Sequence, residues 1–480
     1  MGKPDILIFM SDQHNAMLTG FAGDRIVKTP NMDKLAADGT VFDAAYTSYP
    51  LCVPARISFM TGQYPLKNGY SGNSGAVGED QATFIHSLGI EGYETVLCGR
   101  MHFFGADQRH GFLKRIAGDI TPTYMGKSQP VDWGIYERTN NDQYFNTVGG
   151  GDSPVLAYDR MVIKAALDYL TAQKTANRSK PLCLVVGTYG PHSTYVAPAE
   201  LYTQYLNLVP QPAAVEETIN YDLELYKRRL EKKPAELIRK VRAAYYGMIT
   251  TIDSQLGAVR GAWDDFLKEQ NRKGIFVYTS DHGDQLGERN IYAKMTLFDG
   301  AAKIPLVFAG DGIKRGSRIS QAVSLLDISP TVCELAGAEI PPDPDGQSLA
   351  NQLVSGNEEI DRAVICECSL MRNETFHPGR MVRYGKWKYI TYCGLEDYDL
   401  LFNMEKDPYE LHNCLREEPA IAAELYAKIK DGWDVEDIKK KVSIIGRHAK
   451  LLRRWGDVIE IDEPERFLVP PQSLVPPVIV

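Results

Sequence analysis

Short apolar runs alternate with helix-like segments over the first three quarters of the chain. Apolar, partly β-branched runs of this length are typical of buried strands, and they occur at 6–10, 95–98, 182–186, 274–278 and 305–308. Helical patterns occupy 32–37, a stretch that begins at Thr83, and roughly 234–271. Strands that alternate with helices predict an α/β fold, in which a large, mixed but mostly parallel sheet is flanked by helices.

The pattern of predicted elements changes near residue 355. Turns are predicted at Pro378-Gly379 and at Gly385, between short strand-like runs at 363–369, 380–383, 386–391 and 398–402. These runs predict a smaller C-terminal antiparallel sheet. We therefore divide the chain into an α/β domain at 1–355, an α+β subdomain at 356–430, and a C-terminal helix with a proline-rich tail at 431–480.

The proline-rich tail begins near Glu460 and is too poor in periodic apolar residues to form a core of its own. Two interpretations stay open. The tail either remains solvated or packs on a second subunit, in which case it would hold a homo-oligomer together.

Composition places the chain among globular proteins and excludes several classes. Of its 480 residues, 44% are hydrophobic and 24% are charged, and no run of about eighteen apolar residues could span a membrane. A strand begins at Asp5, which leaves no room for a signal peptide. We therefore expect a cytoplasmic protein, or a periplasmic or secreted one if a leader has been removed. The net charge of −9 argues against non-specific nucleic-acid binding.

The eight cysteines are scattered and form no zinc-type pairs. Cys366 and Cys368 share one face of a predicted strand, and we expect buried thiols there rather than a disulfide. A lone cysteine is usually a small buried hydrophobic residue. Any chemical role for a cysteine therefore needs further support from its neighbours.

Two pairs of polar residues follow predicted strands and have the chemistry of metal ligands. Asp12 and Gln13 come after the first strand, and Asp281 and His282 come after a later one. Either pair alone is more often a turn or a helix cap, but the carboxyl ends of parallel strands meet at one edge of a sheet. Carboxylate and amide oxygens suit Ca²⁺ or Mg²⁺, and a histidine admits Mn²⁺ more readily. The sequence thus predicts one divalent metal, with Ca²⁺ favoured.

Two histidines and two cations are also placed near the ends of predicted strands, and they are Arg100, His102, His192 and Lys294. A lone histidine or lysine is usually structural or solvated, so only the shared placement marks these four as candidate catalytic residues. His14 is a candidate for the rim of the site. The remaining histidines are interpreted as structural, namely His86, His110, His377, His412 and His448.

The most specific pattern is the stretch 52–62, which reads Cys-Val-Pro-Ala-Arg-Ile-Ser-Phe-Met-Thr-Gly. It resembles the maturation signature of the type I sulfatases of the alkaline phosphatase superfamily, and the resemblance implies an alkaline phosphatase-like fold. Within that family the chain is most similar to choline sulfatases and phosphonate monoester hydrolases. Independent support comes from the stretches 99–112, 281–294, 385–390 and 407–410.

The resemblance implies a modified residue at position 52. Cys52 would be oxidised to formylglycine by a formylglycine-generating or anaerobic sulfatase-maturating enzyme, and its hydrated aldehyde would be the nucleophile. The same residue would join Asp12, Gln13, Asp281 and His282 around the metal. A sulfate monoester would then be cleaved to an alcohol and inorganic sulfate.

The resemblance also implies roles for the other candidates. Lys294 and His192 would bind sulfate and protonate the leaving oxygen, and Arg56 would steady the hydrated aldehyde. His102 would take the proton of the second hydroxyl. Arg100 stands where the family usually has lysine; its guanidinium suits sulfate binding but cannot donate a proton.

Other functions stay open at this point. A phosphonate monoester or phosphodiester hydrolase would use the same nucleophile, whereas a metal-binding or scaffold protein would keep Cys52 unmodified. The polar segment 135–144 favours a small sulfated carbohydrate as substrate, which is our preferred prediction. Trp133 could instead contribute to an aromatic cage for choline sulfate.

Overall fold

The computed structural model describes residues 2–73, 75–105, 107–119, 145, 147–213, 219–226, 232–358, 362–456 and 458. Its strands are β1 (Asp5–Asp12), β2 (Gly39–Tyr46), β3 (Glu94–Gly99), β4 (Lys114–Ala117), β5 (Val148–Gly150), β6 (Leu182–Pro191), β7 (Tyr195–Ala197), β8 (Gly274–Ser280), β9 (Gln285–Leu286), β10 (Tyr292–Ala293), β11 (Leu306–Gly310), β12 (Ser317–Ser324), β13 (Val364–Arg372), β14 (Thr375–Tyr384), β15 (Trp387–Tyr392) and β16 (Leu400–Asn403). Its α-helices are α1 (Pro30–Ala37), α2 (Cys52–Thr61), α3 (Phe84–Ile90), α4 (Pro154–Lys174), α5 (Ala199–Leu206), α6 (Ala235–Glu269), α7 (Asp299–Ala302), α8 (Ile328–Ala336), α9 (Ala350–Ser355), α10 (Pro419–Lys430) and α11 (Val435–Gly456).

Three sequence predictions fall on residues without a described structure. Trp133, the polar segment 135–144 and the tail from 459 onward lie outside the described residues. The aromatic cage, the sugar-binding segment and the oligomeric tail therefore stay predictions.

The large sheet has the strand order β12-β2-β11-β8-β1-β6-β3-β4. Strand β1 is parallel to both β6 and β8, whereas β11 runs antiparallel to its two neighbours β8 and β2. The predicted α/β fold with a mixed, mostly parallel sheet is therefore confirmed. The five predicted strand runs coincide with β1, β3, β6, β8 and β11, and the long helical pattern corresponds to α6.

The central strand β1 is buried on both faces, as expected of a parallel sheet that is covered by helices on each side. Leu7 and Phe9 pack into one core with residues of α4 and α6. Ile6, Ile8 and Met10 point to the opposite face and pack with residues of α2, α3 and α8. This alternation fixes the register of the strand, so that Asp12 lies at its carboxyl end.

The C-terminal sheet is antiparallel, with the strand order β13-β14-β15-β16, as predicted. The turn predicted at Pro378-Gly379 is wrong, because both residues lie inside β14. The hairpin turns instead at Asn373 and Glu374, which both have positive φ. Gly379 is needed for a close approach, since an added Cβ would stand 2.2 Å from the ring of Tyr392.

Several smaller expectations can be compared with the described residues. The turn predicted at Gly385 is present between β14 and β15. All eight cysteines are unbridged, and Cys366 and Cys368 are buried. None of the described helices combines the length and the apolar character that a membrane span requires.

Candidate active site

Four neighbouring strands of the large sheet end at the same edge. Strands β8, β1, β6 and β3 lie side by side and run parallel. Strand β1 ends at Asp12, Asp281 follows β8, and His192 follows β6. Arg100 and His102 follow β3. The fold thus brings to one place the candidates that the sequence placed after its strands.

Cys52 is the first residue of α2, and its buried thiol faces this edge. Its Sγ lies 3.2 Å from Nζ of Lys294, 3.3 Å from Nε2 of His282 and 3.7 Å from Oδ1 of Asp12. Burial raises the pKa of Cys52, but Lys294 and His282 outweigh burial and hold that pKa well below the usual range. Two more histidines hydrogen-bond to the thiol, His102 and His192.

Four of the predicted metal-binding side chains form one cluster. Ligand atoms of Asp12, Cys52, Asp281 and His282 all lie within 4.8 Å of one another, and all four residues are buried. Nδ1 of His282 donates to the carbonyl oxygen of Gly283 at 2.9 Å, which leaves the lone pair of Nε2 on the side of the cluster. Two carboxylates and one oriented imidazole fit a divalent cation.

Two buried guanidinium groups neutralise the carboxylates from behind. Nε of Arg56 donates to Oδ2 of Asp281 at 2.9 Å, and Nη2 of Arg56 donates to Oδ2 of Asp12 at 3.1 Å. Nε of Arg100 donates to the same Oδ2 of Asp12 at 2.6 Å. Burial raises the pKa of Asp12 and the Cys52 thiolate adds to this, but the two guanidinium groups prevail and lower it.

Gln13 lies between Asp284 and Lys294 with its amide oriented by both. Its Nε2 donates to Asp284 at 2.7 Å, and its Oε1 accepts from Nζ of Lys294 at 2.7 Å. The hydroxyl of Tyr195 also donates to Asp284, at 2.8 Å, while burial raises the pKa of that carboxyl to about 6. No sequence signal marked Tyr195, whereas the spacing in Asp281-His-Gly-Asp284 places Asp284 close to the predicted metal ligands.

Arg100 forms a buried network with His102, and two partners in it were not anticipated. Nη2 of Arg100 contacts Nδ1 of His102 at 2.7 Å, and its guanidinium lies 4.0 Å above the ring of Tyr189. Asp119 accepts from the backbone N–H of His102 and pairs with Arg100. Burial and the charge of Arg100 lower the pKa of His102. No sequence signal marked Asp119 or Tyr189.

His192 is half-buried directly after β6, and a carboxyl on α4 holds the end of that strand. Nδ1 of His192 donates to the carbonyl oxygen of Ser193 at 2.6 Å. Asp159, on α4, accepts from the backbone N–H groups of Tyr189 and Gly190 at 2.6 and 2.9 Å. Burial raises the pKa of Asp159 to about 7.

The prediction that His14 lies on the rim is wrong. The side chain is fully buried, with Nδ1 2.5 Å from the hydroxyl of Tyr278, and burial lowers the pKa of His14 to about 4. The histidines interpreted as structural have local contacts or are exposed. His86 caps α3, His110 pairs with Asp107, His377 contacts Cys393, His412 pairs with Glu417, and His448 is exposed.

An apolar ledge borders the cluster on the side of α2. Val53 and Val77 pack there with the half-exposed rings of Tyr70 and Phe104. The ring of Phe104 stacks on the ring of His102, with centroids 5.5 Å apart. A group bound at Cys52 would therefore have an aromatic surface beside it.

Comparison with known families identifies this arrangement. A family model described as sulfatase matches residues 4–338, and a second, described as the C-terminal region of N-sulphoglucosamine sulphohydrolase, matches residues 287–436. A choline-sulfatase of Rhizobium meliloti (strain 1021) is 33% identical over 451 residues, which cover 87% of this chain and 83% of the relative. Arylsulfatase K of Danio rerio is 27% identical, over 92% of this chain and 86% of its own length.

Solved structures of other proteins share the fold of this chain. The phosphonate monoester hydrolase of Agrobacterium radiobacter superposes with a TM-score of 0.69 at 22% identity, covering 89% of this chain and 95% of its own. A protein solved in complex with its substrate, D-glucosamine-2-N,6-O-disulfate, gives a TM-score of 0.71 at 21% identity, covering 92% and 98%. At such identities the likeness shows the fold alone.

Proposed function

Because the chain belongs to the type I sulfatase family of the alkaline phosphatase superfamily, it is a sulfuric ester hydrolase, and we propose that its nucleophile is formylglycine made from Cys52. The observation that carries this proposal is the surrounding of one buried thiol by Lys294, His282 and Asp12. A structural cysteine is surrounded by apolar groups, whereas this one has a strongly lowered pKa and polar neighbours on several sides.

The proposed metal site consists of Asp12, Gln13, Asp281, His282 and the oxygen that replaces Sγ of Cys52. When bound, a divalent metal there would polarise the sulfate group and lower the pKa of a neighbouring hydroxyl. The donors are mainly oxygen atoms, so we favour Ca²⁺, with Mn²⁺ or Mg²⁺ as alternatives. The amide oxygen of Gln13 is already oriented by Asp284, as a ligand in a rigid site should be.

The protein's own groups account for charge and position in the reaction. A hydrated aldehyde at position 52 would attack the sulfur, so that the S–O bond to the alcohol breaks and a sulfate ester of the enzyme forms. Lys294 is placed to hold the developing negative charge, since its Nζ is 3.2 Å from Sγ. Arg56 forms ion pairs with Asp12 and Asp281 and holds both side chains in place.

We propose a small sulfated carbohydrate as the substrate, with choline sulfate as the second candidate. The ledge formed by Tyr70 and Phe104 suits the apolar face of a sugar ring. The same rings suit a quaternary ammonium group, and the 33% identical relative is a choline-sulfatase, so this observation favours the second candidate. Release of sulfate from a panel containing both substrates would decide between them.

Intact-mass analysis and sulfate release test the nucleophile together. We expect the purified protein to be lighter than its sequence by the conversion of one thiol to an aldehyde, and Cys52→Ala to lose activity on an aryl sulfate. Cys183→Ala, which removes another buried thiol, is the matched control and should retain activity. Full activity of Cys52→Ala would refute the nucleophile, and faster cleavage of an aryl phosphonate would favour the phosphonate monoester hydrolase instead.

Two partners belong to the proposal. A maturing enzyme must supply the oxidation of Cys52, and the proline-rich tail is proposed to hold a second subunit. Exposed Leu451, Leu452 and Trp455 near the end of α11 would provide apolar surface for such contact. Removal of residues 459–480 should then lower the molar mass in light scattering, and an unchanged mass would refute the role of the tail.

A further inference from the structure

The segment 289–296, which carries Lys294, has a strained backbone. Four of its residues other than glycine have positive φ, between 58° and 66°, namely Arg289, Asn290, Ala293 and Met295. This left-handed region suits glycine, as at Gly287 just before the segment, whereas a Cβ makes it unfavourable. Ala293 and Met295 are the two neighbours of Lys294, so strained positions flank the lysine on both sides.

Gln285 holds this segment in its conformation. The residue is buried, and its backbone pairs with that of Ala293 between β9 and β10. Its side-chain oxygen accepts from Nη2 of Arg289 at 3.2 Å, and its side-chain nitrogen donates to Oγ1 of Thr296 at 3.3 Å. Strained backbone persists only where the surrounding contacts over-determine it. The contacts of Gln285, at both ends of the segment, therefore hold the strain in place.

A backbone hydrogen bond joins the segment to the proposed nucleophile. The N–H of Met295 donates to the carbonyl oxygen of Pro50, two residues before Cys52, at 3.0 Å. Nζ of Lys294 contacts Sγ of Cys52 at 3.2 Å and donates to Oε1 of Gln13 at 2.7 Å. A free lysine side chain has many rotamers, and its ammonium stays at one point only if the backbone that bears it is fixed. The place of the ammonium relative to position 52 therefore depends on the residues on either side of Lys294.

We propose that Ala293 is a positioning residue: its strained backbone, held by Gln285, fixes the ammonium of Lys294 against the group at position 52. This inference rests on the role proposed above for Lys294 in the hydrolysis of a sulfate ester. A glycine at position 293 would adopt the same φ without strain, but it would also open many more conformations to the folded segment. Alanine therefore lowers the stability of the fold and restricts the lysine at the same time.

Ala293→Gly should make the protein more stable and less active. Loss of the strain should raise the Tm by about 1 °C, a small shift because the chain is long. On an aryl sulfate, kcat should fall roughly 10-fold, since small misplacements of a catalytic group are costly. KM should change little, because the ammonium acts on charge that develops in the transition state. An unchanged kcat in a stabilised variant, or a Tm that does not rise, would overturn the proposal.

Glu374→Gly is the matched control. Glu374 has a φ of 62°, almost the 61° of Ala293, but it lies on the hairpin between β13 and β14 of the C-terminal sheet. The same replacement should raise the Tm by a similar amount there and leave kcat at the value of the wild type. An equal loss of kcat in the two glycine variants would contradict the proposal, because the effect would not depend on the place of Lys294.

A double-mutant cycle with Lys294→Met shows whether Ala293 acts through the lysine. The side chain of Lys294→Met has no ammonium to position, so Ala293→Gly should lower kcat no further in that background. In the wild-type background the same replacement should lower kcat as stated above. An equal fold-loss of kcat in both backgrounds would show that Ala293 acts through another group and would overturn its assignment as a positioning residue for Lys294.

Hydrogen exchange provides a measurement that does not depend on sulfate release. A peptide spanning 291–297 contains the amide of Met295 that bonds to Pro50, and it should exchange faster in Ala293→Gly than in the wild type or in Glu374→Gly. If the wild type released no sulfate, the proposed function would fail, whereas faster exchange would still support the hold of Ala293 on this segment. Unchanged exchange in Ala293→Gly would overturn it.

Discussion

Two buried lysines, Lys294 in the candidate site and Lys388 in the C-terminal sheet, carry the same charge but contact different kinds of partner. Nζ of Lys388 donates to Asp299 and to Glu410, at 2.6 Å in each case. Burial lowers the pKa of Lys388, but these two carboxylates outweigh burial and raise it. Nζ of Lys294 instead contacts the neutral amide of Gln13 and the thiol that we propose to be modified.

The two clusters differ in whether their charged groups pair with one another or surround one common atom. Lys388 and its two carboxylates pair with one another and link β15 to the first residue of α7 and to the loop after β16. In the candidate site, Lys294, two carboxylates and three histidines converge on one atom, Sγ of Cys52. In a buried cluster whose charges are paired with one another, removal of one partner destabilises the fold, whereas groups that converge on a single point are arranged for a reacting group.

The largest effect should come from Lys294→Met. Loss of the ammonium beside the nucleophile should lower kcat/KM by about 10²–10⁴-fold, because it supports the charge on the transferred sulfate. The free energy of unfolding should change by only about 1 kcal/mol, because the hydrogen bond from Lys294 to Gln13 joins the ammonium to a neutral amide. Rates on an aryl sulfate and urea unfolding of the same preparation check both parts. A large loss of stability with unchanged activity would reverse the comparison.

Lys388→Met should show the opposite behaviour. Asp299 and Glu410 would stay buried without their nearest counter-charge, with Arg289 left at 3.8 Å from Glu410, which should lower the free energy of unfolding by about 3–5 kcal/mol. The folded fraction should keep the kcat of the wild type, because the cluster does not reach Cys52. Adding Glu410→Gln to Lys388→Met should recover part of the stability. If the double variant is no more stable than the single one, the charge imbalance is not the cause.

Removal of the proposed metal should affect the candidate site alone. A metal present at about 100 times its Kd would contribute about 2.7 kcal/mol to stability, so chelation should lower the Tm as well as the activity. The same shift is expected in Lys388→Met, because distant clusters behave additively. In Asp281→Asn the shift should be much smaller. Identical melting curves with and without chelator would contradict the metal site.

The smallest effect, when measured per pH unit, concerns the carboxyl of Asp159. Its folded pKa of about 7 lies above the value near 3.9 of an unfolded chain, so between these pH values the folded protein holds a proton that the unfolded chain has lost. Its contribution to stability is therefore complete below about pH 4 and decreases as pH rises through this window, by at most about 1.4 kcal/mol per pH unit. Asp159→Asn should flatten the decrease measured by chemical unfolding. An unchanged slope would show that the carboxyl is ionised in the folded protein.

Much of the fold could be predicted because the apolar pattern of a strand or helix is visible within its own stretch of sequence. The runs that became β1 and β8 are buried on both faces and leave a clear apolar signature. The antiparallel direction of β11 could not be predicted, since a short apolar run carries no information about direction. The hairpin turn at Asn373 and Glu374 was missed because Pro378-Gly379 is the stronger turn signal, whereas Gly379 serves to admit the ring of Tyr392.

The candidate site was partly predictable for a different reason. Residues such as Asp12 and His192 follow strands of one sheet, so the fold alone brings them to one edge. Asp119, Tyr189 and Asp284 act through contacts with distant residues, and their neighbours in sequence do not reveal those contacts. The hydrogen bonds that orient the rings of His102 and His192 join particular ring nitrogens to Arg100 and to the carbonyl oxygen of Ser193. Such atomic contacts could not be inferred from residue types.

The burial of α2 along its whole length makes the proposed oxidation of Cys52 depend on when the pocket closes. Lys294 follows Cys52 by 242 residues, and the pocket cannot close over the thiol before that stretch has been synthesised. At roughly 5–20 residues per second, translation of this stretch takes roughly 12–50 s. A maturing enzyme would therefore have at least that interval in which to reach Cys52 on the nascent chain. Slower translation should raise the fraction of active molecules in a culture even when the amount of the maturing enzyme is unchanged.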